Sequence, residues 1–198
     1  LDIRTFAGID YGAKTSGNTV ICYHDGQYLL FFDALKKDAD SFIFEWMHQN
    51  PLVSNLFLDA PLSLPAVYFQ RAGFVNYHYR QCDLALKAMS PLFLGGLTAR
   101  AMELTQKLSS ALNIKTYEVY PKALAQLWLG NSYHKKLSVF EMEQLCEILI
   151  QKHPSLSLAH LPHNQHQFDA FLAWLSGYRF VNEQHLTFGE TDEGLIIV

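Results

Sequence analysis

TFAGIDYGAKTSGNTVICYHDGQYLLFFD, residues 5–33, contains three short β-type runs separated by turn chemistry. Thr5–Ile9 is apolar and small and ends in Asp10, after which Tyr11-Gly12-Ala13 turns and Ser16-Gly17-Asn18 continues a polar loop. Thr19–Tyr23 is β-branched and aromatic, as strands prefer. His24-Asp25-Gly26 then marks a hairpin, because Asp-Gly suits a turn with φ > 0. Gln27–Asp33 is the third run. Such short connections predict an antiparallel meander at the start of the domain. A doubly wound sheet would open β-α-β instead.

Beyond Asp33 the period changes. Asp40–Gln49 predicts an amphipathic helix with Phe42, Ile43, Trp46 and Met47 on one face, stopped by Asn50-Pro51. Ser54–Leu58 is an apolar strand running into Asp59. Pro61 and Pro65 keep the next stretch out of a helix, and Tyr68–Leu94 reads as irregular. After Gly95-Gly96, Leu97–Leu112 is a helix with Leu104, Leu108 and Leu112 in phase. Ile114–Val119 is a strand, and Pro121 opens a helix continued by Lys122–Leu129. Ser138 and Glu141 form a capping-box pattern for a helix to Lys152, with Pro154 beyond its end. Gln167–Val181 is the last long helix, and Leu195–Val198 a short closing strand. The order β-β-β, α-β, α-β-α-α and a final helix is that of an RNase H-like α/β mixed sheet flanked by helices. The whole chain, 1–198, is expected to be one domain with a helical or irregular insertion around 62–96.

Composition agrees with one compact unit. Of 198 residues, 49% are hydrophobic and only 17% charged, which excludes disorder and allows one sizeable core. The net charge of −4 gives no general grip on a polyanion, although a local basic patch is compatible with it. Cys22, Cys82 and Cys146 are far apart without a CxxC pair, so they read as reduced, partly buried thiols. No apolar run approaches membrane length, no basic segment precedes an apolar one at the N-terminus, and the chain starts at Leu1. A cytoplasmic protein with a trimmed N-terminus is the expectation. GxGxxG and GxxxxGK[ST] are both lacking.

Four acids carry the chemistry. Asp10 and Asp59 each end an apolar strand, where a carboxylate can point over the sheet edge or simply close a turn. Glu118 sits in the β-type run Thr116–Tyr120, an unfavourable place for Glu without a partner. Asp169 stands early in an apolar helix, where the helix dipole also favours a negative charge. Together they form a candidate catalytic and metal-binding set. Clustered carboxylates repel, and a hard cation such as Mg²⁺ or Mn²⁺ relieves that repulsion and serves phosphodiester hydrolysis. Arg80, Arg100 and Lys14 are candidate phosphate contacts, with an Arg80–Asp83 structural pair as the alternative. His160, His163 and His166 lack the Cys or HExxH company of a zinc site, but His166, one helical step before Asp169, could carry a proton. Tyr68, Phe69, Phe74, Tyr77 and Tyr79, near Arg71 and Arg80, could stack bases or pack as an insertion over the sheet.

Six motifs occur in order: Gly8-Ile9-Asp10-Tyr11-Gly12-Ala13, Leu58-Asp59-Ala60-Pro61-Leu62, Arg80-Gln81-Cys82-Asp83, Ser90-Pro91, Tyr117-Glu118-Val119-Tyr120-Pro121 and His166-Gln167-Phe168-Asp169-Ala170. Together with the closing Glu193-Gly194-Leu195-Ile196 they resemble the domain-of-unknown-function family 429, regarded as predicted RNase H-like nucleases. The resemblance implies an RNase H-like fold, acidic motif positions at Asp10, Asp59, Glu118 and Asp169, a divalent metal, and nucleic acid as the partner. Family members often carry a second acid near the position of Asp169, where this chain has His166, Gln167 and Phe168. Two other functions fit the same residues. One is a nucleotide- or sugar-phosphate-handling enzyme whose phosphate loops would use Gly8, Gly12 and Gly17; the other is a non-catalytic nucleic-acid-binding relative.

Overall fold

The computed structural model describes residues 2–130, 133, 136–152, 156, 158 and 160–198. Among these, seven strands form one sheet: β1 (Phe6–Asp10), β2 (Val20–His24), β3 (Leu29–Asp33), β4 (Asn55–Asp59), β5 (Lys115–Val119), β6 (Thr187–Glu190) and β7 (Gly194–Ile197). Their order is β3-β2-β1-β4-β5-β7-β6. The opening meander is antiparallel, whereas β1, β4, β5 and β7 run parallel. This is the RNase H-like mixed sheet expected from the strand and helix order. The β2–β3 hairpin turns as its Asp-Gly pair requires: Gly26 has φ +111, and the Asp25 carboxylate accepts from the Gln27 and Tyr28 N–H groups.

Helices cover both faces. On one side lie α1 (Ala39–Gln49) and, after two short helices α2 (Gln81–Leu86) and α3 (Pro91–Leu94), the long α4 (Gly96–Leu112). Their buried Phe42, Ile43, Trp46, Met47, Leu104 and Leu108 pack on Ala7, Ile9, Leu56 and Leu58. The other side holds α5 (Pro121–Leu129), α6 (Val139–Lys152) and α7 (Gln165–Val181), packed on Phe6, Phe57 and Val119. Ser138 and Glu141 make the expected reciprocal cap on α6, whereas Pro154 lies outside the described residues.

Two expectations are corrected. Residues 68–94 are not uniformly irregular: Gln81–Leu86 and Pro91–Leu94 are helical, the second capped by Ser90, whose side chain accepts from the Leu92 N–H. These helices are too short for apolar periodicity to show. β6 was also not expected; its Thr187-Phe188-Gly189-Glu190 alternation is brief and its four residues are mostly exposed. The three cysteines are free and buried, as expected. No helix among the described residues is long and apolar enough to cross a membrane.

The backbone of α7 lies close against β1. A Cβ on Gly8 would sit 2.0 Å from the Trp174 backbone nitrogen, and one on Gly177 would sit 2.4 Å from the Phe57 ring. Both glycines let the helix backbone lie directly on the sheet, and Gly8 thus serves packing rather than a phosphate loop. Gly8→Ala is therefore expected to lower stability by about 3 kcal/mol, since the clash is with backbone and cannot be relieved by a rotamer. Urea unfolding that shows Gly8→Ala within error of the parent would refute this account of the α7–β1 contact.

Candidate active site

The site grows from strand periodicity. On β1 the residues alternate, so Ala7 and Ile9 enter the α1/α4 layer while Phe6, Gly8 and Asp10 face α7. β4 repeats this, with Leu56 and Leu58 on the first face and Phe57 and Asp59 on the second. Asp10 and Asp59 are direct cross-strand partners in the parallel register, so two carboxylates stand side by side at the same sheet edge.

The last helix brings the rest. Asn164 caps α7 by accepting from the Gln167 N–H, and the Gln167 side chain donates to Asp33 at the end of β3, fixing the helix start over the strand ends. His166 and Asp169, three residues apart, share the helix face that looks down on Asp10. His166 Nδ1 lies 2.7 Å from Asp10 Oδ2. Gln165 Nε2 donates to Asp169 Oδ1 at 3.0 Å, and the Tyr133 hydroxyl approaches the same oxygen at 3.5 Å. These groups line a cavity of about 860 Å³ together with Asp59, Glu118, Tyr120, Lys87 and Lys122.

Electrostatics set these carboxylates apart from ordinary surface acids. Burial raises the pKa of Asp59 well above the usual range, and Asp10, Asp169 and Glu118 raise it further. Asp59 receives no hydrogen bond from any described residue. Burial, with help from Asp10, pushes Asp169 up to about 7 against the hydrogen bond from Gln165. Burial also raises Asp10, opposed by His166, and the same contact raises the imidazole. The site is thus short of positive charge.

Glu118 does not join them on that face. It is the register partner of Leu58, so its side chain leaves the sheet on the α1/α4 side, and the neighbouring Tyr117 and Val119 take the α7 side. There its carboxylate is consumed by Arg80: Nη1 donates to Oε2 at 2.7 Å and Nη2 to Oε1 at 2.6 Å, with the Leu62 N–H adding a third bond at 2.9 Å. Burial raises Glu118 and Arg80 opposes it. The geometry therefore does not bring all four candidate acids to one face. Three carboxylates and His166 share one face, and Glu118 meets the cavity wall from the other.

The expected phosphate contacts are placed differently too. Arg80 is fully buried. All five of its N–H groups are used: Nε and Nη2 on Asp83, both Nη on Glu118, and Nη1 on Ser63. The structural pair with Asp83 is formed, and no donor remains for a phosphate. Arg100 forks onto Asp40 at 2.7 and 2.9 Å and lies over the Tyr11 ring, whose hydroxyl donates to the same Asp40. Lys14 is exposed and pairs with Asp38 at 3.3 Å, away from the cavity lining. The cations that do line the cavity are Lys87 and Lys122, both exposed, which sequence reading passed over because nothing local distinguishes them from solvated surface lysines. Glu193 was also missed as an anchor: its carboxylate accepts from the Ala66 and Gln81 N–H groups and ties the 62–96 segment to the β6–β7 turn.

As metal ligands the donor chemistry fits a hard cation: oxygen-rich, buried, and lacking counter-charge. Among the described residues, however, no three His, Cys, Asp or Glu side chains stand close enough together to hold one ion in this conformation. His166 engages one oxygen of Asp10 and Gln165 one oxygen of Asp169, and the second oxygen of each takes no hydrogen bond from any described residue.

No protein-family model and no curated protein sequence matches the chain. Among solved structures, it is similar to the Thermus thermophilus RuvC structure at 14% sequence identity, over 90% of this chain and 96% of that one, with a TM-score of 0.47.

Proposed function

We propose that this chain is a divalent-metal-dependent nuclease of the RNase H-like type, related to family 429, and that Asp10, Asp59, Asp169 and His166 form its active centre. The observation that carries the reading is the side-by-side placement of Asp10 and Asp59 beneath a helix that delivers Asp169 and His166 to the same face. The motif resemblance adds to it. Bound Mg²⁺ or Mn²⁺ would neutralise the carboxylates and polarise a phosphodiester oxygen.

The chain's own residues supply the rest. Among the described residues no donor competes for the Asp59 carboxylate, and Asp10 keeps Oδ1 available while Oδ2 holds His166. That contact fixes the imidazole with Nδ1 toward Asp10, leaving Nε2 as the nitrogen able to take a proton from an attacking water. Lys87 and Lys122 attract the phosphodiester to the cavity. Glu118 and Arg80 hold the wall in place and take no part in the chemistry.

The decisive experiment combines Mn²⁺ calorimetry with cleavage assays on single strands, duplexes, hybrids and branched DNA. Cleavage that needs Mg²⁺ or Mn²⁺ and falls by about 10²- to 10³-fold in folded Asp10→Asn is the expected result. Cleavage unchanged in Asp10→Asn would overturn the assignment. The phosphate-loop alternative loses its support at Gly8, which the Trp174 backbone occupies.

A further inference from the structure

The segment between β4 and α4 presents an uncommon surface. Its base is rigid: Leu62 is held by Glu118, Ala66 and Gln81 by Glu193, and Arg80 by Asp83 and Glu118. Its outer side nevertheless exposes large apolar groups. Tyr68 and Tyr77 are about half exposed, Met89 is 56% exposed and Phe93 73%. Large apolar groups exposed together, rather than singly, mark an interaction site.

These groups lead to the cavity. The Tyr68 and Tyr77 rings meet edge-to-face at 5.7 Å. The Ser90 hydroxyl donates to the His78 carbonyl, joining the part of the loop that carries Tyr77 to the start of α3, which carries Phe93. Lys87, Met89 and Leu94 line the cavity itself. The surface therefore runs from the exposed tyrosines to the rim above the carboxylates.

Its charge differs from that of the whole molecule. The protein has a net charge of −4, yet from residue 60 to residue 102 the only acid is Asp83, which is buried against Arg80. Arg71 and Lys87 are exposed there and form no ion pair with any described residue. A segment that exposes no acid of its own and offers rings and cations paired with no described residue matches a polyanion with accessible π-faces. It does not match an acidic peptide, which would leave the rings unused, or a second copy of this acidic chain.

We propose that this surface is a stacking platform for unpaired nucleobases, so that the substrate class is nucleic acid with a single-stranded segment leading into the cavity. Phe93 and Tyr77 take base faces, and Lys87 and Arg71 take the backbone. A paired duplex hides the base faces and cannot use the rings. The proposal rests on the nuclease reading and adds the form of the substrate.

The test measures affinity separately from cleavage. A short fluorescein-labelled single strand and the matching duplex are titrated by anisotropy in EDTA with the full chain. The single strand is expected to bind more tightly. Phe93→Ala and Tyr77→Ala should each weaken its binding roughly 5- to 100-fold, with melting temperatures unchanged and the duplex much less affected. Phe93→Trp should restore affinity, and Lys87→Ala should reduce the salt slope by about one counterion. Equal affinity of the parent and both alanine variants for the single strand overturns the platform. Metal-dependent cleavage in that same parent would leave the nuclease reading standing. If sedimentation shows a dimer that Phe93→Ala dissociates while oligonucleotide affinity holds, the surface is a self-interface and the proposal fails.

Discussion

Asp59→Asn is expected to abolish metal-dependent cleavage, by about 10³-fold, and at the same time to make the metal-free protein more stable. Both effects have one cause. Asp59 is a carboxylate without a hydrogen-bond donor among the described residues, set beside Asp10 and near Asp169, and its ionisation in the fold is opposed by burial and by those acids. Asparagine keeps the shape and removes the charge. Without metal, relief of that repulsion should raise stability by about 1–3 kcal/mol, or roughly 3–10 °C in Tm for a chain of this size. The same charge is what a divalent cation would bind, so the variant loses it as a ligand. Gains of this kind are the usual sign of a site held in place at the expense of stability.

The pH dependence has a definite sign. Asp169 titrates near 7 in the fold and near 3.8 when unfolded. Between those values the native state binds more protons, so stability of the EDTA-treated protein should fall as pH rises from about 4 to about 7. Mn²⁺ at the upper end should reverse the fall. Calorimetric melting of the parent and Asp59→Asn, with EDTA and with Mn²⁺, checks all of this. A lower Tm for Asp59→Asn in EDTA would show that the carboxylate is structurally satisfied and would remove the basis for placing a cation there.

The second large effect belongs to Arg80. Arg80→Met leaves Asp83 and Glu118 buried without their shared cation, which typically costs about 3–5 kcal/mol and would lower Tm by roughly 6–20 °C. Arg80→Lys should recover only part of this, because an ammonium cannot make two parallel forks. Chemical denaturation of the two variants measures the difference. Full stability in Arg80→Met would mean the network contributes nothing. Glu118→Gln separates the two readings of Glu118: the structure expects lost stability with Mn²⁺ affinity nearly retained. A tenfold or greater loss of Mn²⁺ affinity in the folded variant would return Glu118 to the ligand set.

The amino-acid sequence alone determined the order of β1 to β5, β7 and the longer helices, the antiparallel opening and the two strand-end acids, but not α2, α3 or β6. Those features are local: short β-type runs, an Asp-Gly turn, helical spacing of Phe42, Ile43, Trp46 and Met47, and a carboxylate wherever an apolar run stops. Which acids share a face was decided only by the tertiary structure. Around Glu118, Tyr117 and Val119 pack on one side and Arg80 lies on the other, so both faces are covered and no polar alternation reveals the direction of the side chain. The register of β5 against β4 settles it. The same holds for His166, which meets Asp10 across 156 residues of chain because Gly8 lets the helix rest on the strand. Arg80 reads locally as a phosphate fork, and becomes a buried structural cation only once Glu118 and Ser63, remote in sequence, consume its donors. Side chains at strand ends announce a site; long-range pairing decides its members.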